Sequence, residues 1–189
     1  MNKPKDYDNT QAAGEYKVLP PGGYVCKIVK VLETESQSGK PMLHIGLDIA
    51  EGEYTGFFQD RYNKDARSYK KWPSIFYQLI YTSDGKTNRM FKAFCESVEH
   101  SNNINMPWGD NFATDLRGKL VGVLYGREEY MGQDDGMSHW TVKPRFWRSA
   151  ESIRKGDFTV PEDRPVKKSD SQTSMPEGFD SISDDDIPF

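Results

Sequence analysis

Tyr24-Val25-Cys26-Lys27-Ile28-Val29-Lys30-Val31-Leu32-Glu33, followed after one turn by Met42-Leu43-His44-Ile45-Gly46-Leu47-Asp48-Ile49-Ala50, decides the fold class. The second run alternates strictly. Leu43, Ile45, Leu47 and Ile49 share one side and Met42, His44, Gly46 and Asp48 the other, the period of a strand with one face in a core. The first run is β-branched and apolar but breaks the period of two, which predicts a bulge or a strand shared between two sheets. Ser36-Gln37-Ser38-Gly39 between them is turn chemistry, so the pair reads as an antiparallel hairpin. Glu51-Gly52 predicts a second hairpin into a third strand over Tyr54 to Asp60.

Further along, Asn88 to His100 places Met90-Phe91, Phe94-Cys95 and Val98 on one face at helical spacing and predicts a core helix. Asn105 to Thr114 reads as a loop whose Trp108 is either a plug for the barrel end or a stacking ring. Lys119 to Tyr130 and Ser138 to Trp147 are the fourth and fifth strands, joined by Met131 to Gly136. In the fifth, Trp140, Val142 and Phe146 fall on one face, and His139, Thr141, Lys143, Arg145 and Trp147 on the other. Three strands, a helix and two strands fit a mainly β architecture, an oligonucleotide-binding (OB) barrel of five strands with one core helix and an insertion after the third strand. The chain divides into an arm over 1–19, the OB domain over 20–155, a disordered linker over 156–182 and an acidic tip over 183–189. Ser149 to Lys155 adds a short helix or edge segment.

At 189 residues and 21.7 kDa the chain holds one domain with a sizeable core. No apolar run approaches the roughly 20 residues that span a bilayer, and the first residues lack a signal-peptide pattern, so a cytoplasmic protein is expected. Cys26 and Cys95 are too far apart for a metal motif and read as buried thiols. His44, His100 and His139 lack ligand spacing, and neither a metal nor a cofactor is expected. Charge is unevenly spread: residues 161–189 carry eight acidic and three basic side chains, net −5, which leaves +1 of the overall −4 for residues 1–160. A polyanion site would therefore be a local basic patch.

Arg61 to Thr87 supplies such a patch. Arg61, Lys64, Arg67, Lys70 and Lys71 are interleaved with Tyr62, Tyr69, Trp72, Phe76, Tyr77 and Tyr81, and Ser74 to Tyr81 allows one or two helical turns. Cations neutralise phosphates and rings stack on unpaired bases, which is what single-stranded nucleic acid needs. Lys143, Arg145 and Trp147 form a second positive and aromatic set on the fifth strand. The bland alternatives are a solvated charged loop for the cations and core packing for Trp72, Phe76 and Tyr77.

The chain ends Ser183-Asp184-Asp185-Asp186-Ile187-Pro188-Phe189 after a polar, unpatterned run. A stiffened acidic peptide with an aromatic terminus suits docking on a basic-rimmed apolar pocket of another protein; the plain alternative is a charged tail. Asp184 to Phe189 resembles the C-terminal tip of bacterial single-stranded DNA-binding proteins. Pro21-Gly22-Gly23-Tyr24-Val25, Ser38-Gly39-Lys40 and Phe91-Lys92-Ala93-Phe94 are similar to the single-stranded DNA-binding proteins of bacteriophages and prophages, a likeness running from Leu19 to Trp147. Arg61 to Thr87 departs from the compact bacterial domain. The resemblance implies a protein of the bacterial host cytoplasm that coats single-stranded DNA with little sequence preference. It implies recruitment of replication, recombination and repair proteins through Asp184, Asp185, Asp186, Ile187, Pro188 and Phe189. DNA contacts are expected from Arg61, Tyr62, Lys64, Arg67, Tyr69, Lys70, Lys71, Trp72, Lys143, Arg145 and Trp147.

No catalytic constellation stands out, so the chain is not expected to be an enzyme. Two other classes remain: an OB adaptor that binds only proteins, and a metal-dependent nuclease built on Asp48, Glu51, Glu53 and Asp60.

Overall fold

The computed structural model describes residues 3–5, 7, 18–132 and 135–166. Most of the predicted arm and linker, and the whole tip from Asp184 to Phe189, lie outside them. Five antiparallel strands form one sheet, β1 (Gly22–Glu35), β2 (Pro41–Ile49), β3 (Ile75–Leu79), β4 (Leu120–Met131) and β5 (Ser138–Arg148), in the order β3-β2-β1-β4-β5. Among the described residues four helices accompany it: α1 (Phe57–Lys64), α2 (Arg89–Asn102), α3 (Phe112–Asp115) and α4 (Ala150–Lys155).

The broken period of the first run has the expected cause. β1 shifts register between Ile28 and Lys30, pairing with β4 over Gly22–Lys27 and with β2 over Cys26–Glu35. One strand thereby serves both halves of the sheet. Leu43, Ile45, Leu47 and Ile49 enter the core, as the alternation requires, together with Cys26, Ile28, Val121, Val123, Phe94 and Val98. Helix α2 begins at Asn88, whose side chain accepts the Met90 N–H at 2.8 Å, and ends at Asn103 in the left-handed conformation. Its Phe91, Phe94, Cys95 and Val98 are buried, as its spacing predicts. Trp108 is 65% exposed, stacked on Phe112 and edge-on to Phe91, so it covers the core from outside.

The third strand is not where the sequence places it. Tyr54 to Asp60 forms a turn and the start of α1, while Ser74 to Tyr81, read as helical turns, contains β3. The reason is Asp48. Gly56 caps α1 with φ 75° and has no side chain to receive the helix's first amides. The buried Asp48 carboxylate does so instead, accepting the N–H groups of Phe58 at 3.1 Å and Gln59 at 3.3 Å as well as its neighbour Ile49. A capping residue ten positions upstream leaves no local signature. In β3, Phe76 and Gln78 turn inward and Ile75, Tyr77 and Leu79 outward, an alternation that aromatic and branched side chains favour.

A second correction concerns β5. Leu124 pairs with Phe146 and Tyr125 with Pro144, so Arg145 is an extra, bulged residue. The bulge reverses the faces beyond it and turns Trp147 to the core, opposite Val123. Trp147 is 2% exposed, stacks on Phe76 at 4.2 Å, and donates from its indole N–H to Gln78 Oε1 at 3.0 Å. The edge strands β3 and β5 thus meet through side chains, while the hydrogen-bonded sheet stays open between them. The ordered body also extends past the predicted boundary near Lys155: Phe158 lies against Gly23 of β1, and Arg164 bridges to Glu128 of β4. Among the described residues no helix is long and apolar enough to cross a membrane.

Candidate nucleic-acid interface

The face of β1, β2 and β3 turned away from the core carries Lys27, Lys30 and Leu32, then Asp48, Gly46 and His44, then Ile75 and Tyr77, as the strand register dictates. Gly46 leaves room on this face. The Trp72 ring lies over it, and the indole N–H donates to the Leu47 carbonyl at 2.8 Å, fixing the ring against the strand. Tyr62, presented by α1, packs on Trp72 with ring centroids 5.3 Å apart, and Lys70 Nζ sits 4.6 Å above the Tyr62 ring. Asp48, by anchoring α1, sets where Tyr62 stands.

His44 and Tyr77 form an edge-to-face pair at 4.7 Å beside this stack. Burial holds the His44 imidazole below its usual pKa, so it is neutral near pH 7. Its Nε2 is enclosed and has no hydrogen-bond partner among the described residues. On β1, Lys27 Nζ lies 3.5 Å from the buried Asp48 carboxylate, and Lys30 is exposed. His44, Lys27 and Lys30 lie outside the Arg61–Thr87 stretch, whose Tyr77 turns outward to join them rather than packing in the core. The signal was present for His44, since the alternation of β2 already sets it opposite the core.

The expected contacts divide. Arg61 and Lys64 are exposed on α1 and carry no ion pair among the described residues. Tyr69 is 81% exposed and Lys71 is exposed. Tyr62, Lys70 and Trp72 make the stack. Arg67 is turned to another purpose: its guanidinium grips Asp65 with contacts of 2.9 and 2.6 Å, which holds the Asp65 carboxyl down at about 2. That pair is electrically neutral. Lys143 and Arg145 lie on β5, next to β4 and the 161–166 segment rather than beside Trp72. Trp147 is a core residue, closed to stacking by its burial against Phe76 and Phe94.

The carboxylates considered for metal chemistry are dispersed. Asp48 caps α1, and Glu51 forms a two-point ion pair with Arg154 at 3.0 and 2.6 Å. Among the described residues no group of three or more His, Cys, Asp or Glu side chains could hold a metal ion. Both cysteines are buried and unpaired, and burial pushes the Cys26 thiol up to about 12.

The outer face of the β1–β2–β3 half therefore offers clamped rings and exposed cations. Comparison with curated proteins finds no match. A family profile matches residues 5–143, from the arm into β5, including all of Arg61 to Trp72. That span is well over half of the 189 residues, and the chain accordingly belongs to the family described as "Protein of unknown function (DUF669)".

Proposed function

We propose that this chain is an OB-fold protein that binds single-stranded DNA with little sequence preference and recruits replication, recombination and repair proteins through its C-terminal tip. The strand order supports the fold reading. An OB barrel has a first strand shared between both halves, a helix between the third and fourth strands, and third and fifth strands side by side. Here β1 is shared, α2 follows β3, and Trp147 joins β5 to β3 through Phe76 and Gln78.

The observation that carries the function is the Lys70–Tyr62–Trp72 stack held over Gly46 on the strand-two face. Rings on such a face take unpaired bases at about 1–3 kcal/mol each, and Arg61, Lys64, Lys70 and Lys71 would take phosphates. Stacking ignores base identity, which accounts for low sequence preference. Recruitment rests on the chemistry of Asp184 to Phe189, an acidic peptide ending in Pro-Phe. The engagement of Asp48 and Glu51 in the fold weighs against a nuclease centred on them.

Fluorescence anisotropy of labelled oligodeoxythymidylate titrated with the full chain tests the reading. Binding at low salt is expected, with about four neutralised phosphates giving a slope near −2.8 and a roughly fiftyfold loss between about 50 and 200 mM salt. A chain ending at Ser181 should bind at least as tightly while losing partner capture. No binding at low salt would leave the protein-adaptor reading in its place.

A further inference from the structure

Beyond Tyr125, β4 no longer has β1 beside it, because their ladder ends at the Gly22–Tyr125 pair. Residues 161–166 cover that bare edge as a parallel strap. Arg164 N–H donates to the Arg127 carbonyl at 3.0 Å, Glu129 N–H to the Arg164 carbonyl at 2.8 Å, and Val166 N–H to Glu129 Oε2 at 2.9 Å. Arg127 Nε adds an ion pair to Asp163 at 2.9 Å. The strap's side chains from Glu162 to Val166 are exposed, so polar bonds rather than burial hold it.

Its first residue sits over an unmatched cation. Gly126 permits the approach: a Cβ there would lie 3.0 Å from Pro161 Cβ and 3.3 Å from Arg145 Cγ. Arg145 is the bulged residue of β5, and its Nη1 is enclosed with no hydrogen-bond partner among the described residues. Arg164, on the strap, is close enough to Arg145 to disfavour its charge, after burial itself, while Glu128 favours it. Arg164 Nη1 is 3.8 Å from Glu128 Oε1. A shielded donor with no acceptor is costly, and an oxyanion would satisfy it; forked guanidinium donors match phosphate.

We propose that Arg145 is a phosphodiester-binding site closed by the 161–166 strap, and that a single-stranded nucleic-acid backbone reaches it when the strap, and Arg164 with it, lifts from β4. This rests on the nucleic-acid reading above and adds to it a gate over Arg145. Because the ligand takes only the lifted state, whatever weakens the strap strengthens binding, and binding in turn opens the strap.

The test is hydrogen exchange on the full chain with and without oligodeoxythymidylate, together with the affinity of Arg127→Gln and Arg145→Gln. Arg127→Gln removes a positive charge, so a simple charge effect weakens binding. A released gate instead tightens it, by about two- to fivefold, the weight of one exposed ion pair. The expected result is that tightening, faster exchange at Glu129 and Arg164 on adding oligonucleotide, and loss of that response in Arg145→Gln. Oligonucleotide binding with unchanged strap exchange, or weaker binding by Arg127→Gln, overturns the gate and leaves the nucleic-acid reading standing. No oligonucleotide binding by the unaltered chain overturns both. An equal opening by inorganic phosphate alone would overturn the assignment to a nucleic-acid backbone.

Discussion

Replacing Trp147 with phenylalanine separates a core role from a stacking role, because the two predict opposite losses. Phenylalanine has no indole N–H, so Gln78 Oε1, on a side chain 2% exposed, loses its donor. A buried acceptor without a partner costs about 1–3 kcal/mol. The smaller ring also gives up part of the stack on Phe76 and Phe94, a further ~1–2 kcal/mol of packing that the surroundings cannot fully recover. The sum, about 2–5 kcal/mol, falls where β3 and β5 meet only through side chains. Against a domain stability of about 5–15 kcal/mol the variant remains folded. Urea unfolding followed by far-ultraviolet circular dichroism should show a midpoint lower by about 1–2 M. Oligodeoxythymidylate affinity should stay within about twofold, since the ring is closed to a base. A midpoint shift below about 0.3 M combined with a tenfold affinity loss would refute the core assignment and return Trp147 to the binding surface.

Asp48→Ala strands the buried amides that Asp48 caps and should cost about 3 kcal/mol in the same urea assay; a loss under about 1 kcal/mol would mean that α1 is held by other means. Tyr62→Ala should weaken oligonucleotide binding about five- to a hundredfold with little change in unfolding midpoint, and Lys70→Ala should flatten the salt slope by about 0.7. Burial holds the protons of Tyr24 and Cys26 up to about 12, against ordinary values of 10.0 and 9.0. Their contribution to stability is complete below about pH 9 and is lost as pH rises towards 12, because the unfolded chain releases these protons first. The urea midpoint should therefore fall between about pH 8.5 and 10.5, and a flat profile would contradict the burial. For the same reason Cys26 should resist Ellman's reagent at about pH 8 until the protein is unfolded.

Local pattern was enough for the elements that carry their own signal. The alternation over Met42 to Ile49, the irregular first strand, the Asn88-capped helix and the β4–β5 pair are each a short stretch whose apolar period matches one kind of structure. The same holds for the basic-aromatic composition of Arg61 to Trp72, which marked a surface before its geometry was known. Tertiary structure decided whatever depends on a partner distant in sequence. Asp48 turns Phe57–Lys64 into a helix by accepting amides ten and eleven residues away, and thereby sets β3 beyond it. One bulged residue, Arg145, reverses the faces of β5, so Trp147 is core and Arg145 is an enclosed cation, although simple alternation puts both on one side. Asp65 neutralises Arg67. The path of 161–166 along β4 follows from an edge that exists only once β1 has left it. A one-residue register change or a single long-range carboxylate leaves composition and periodicity untouched, which is why these features become visible only when the chain is folded.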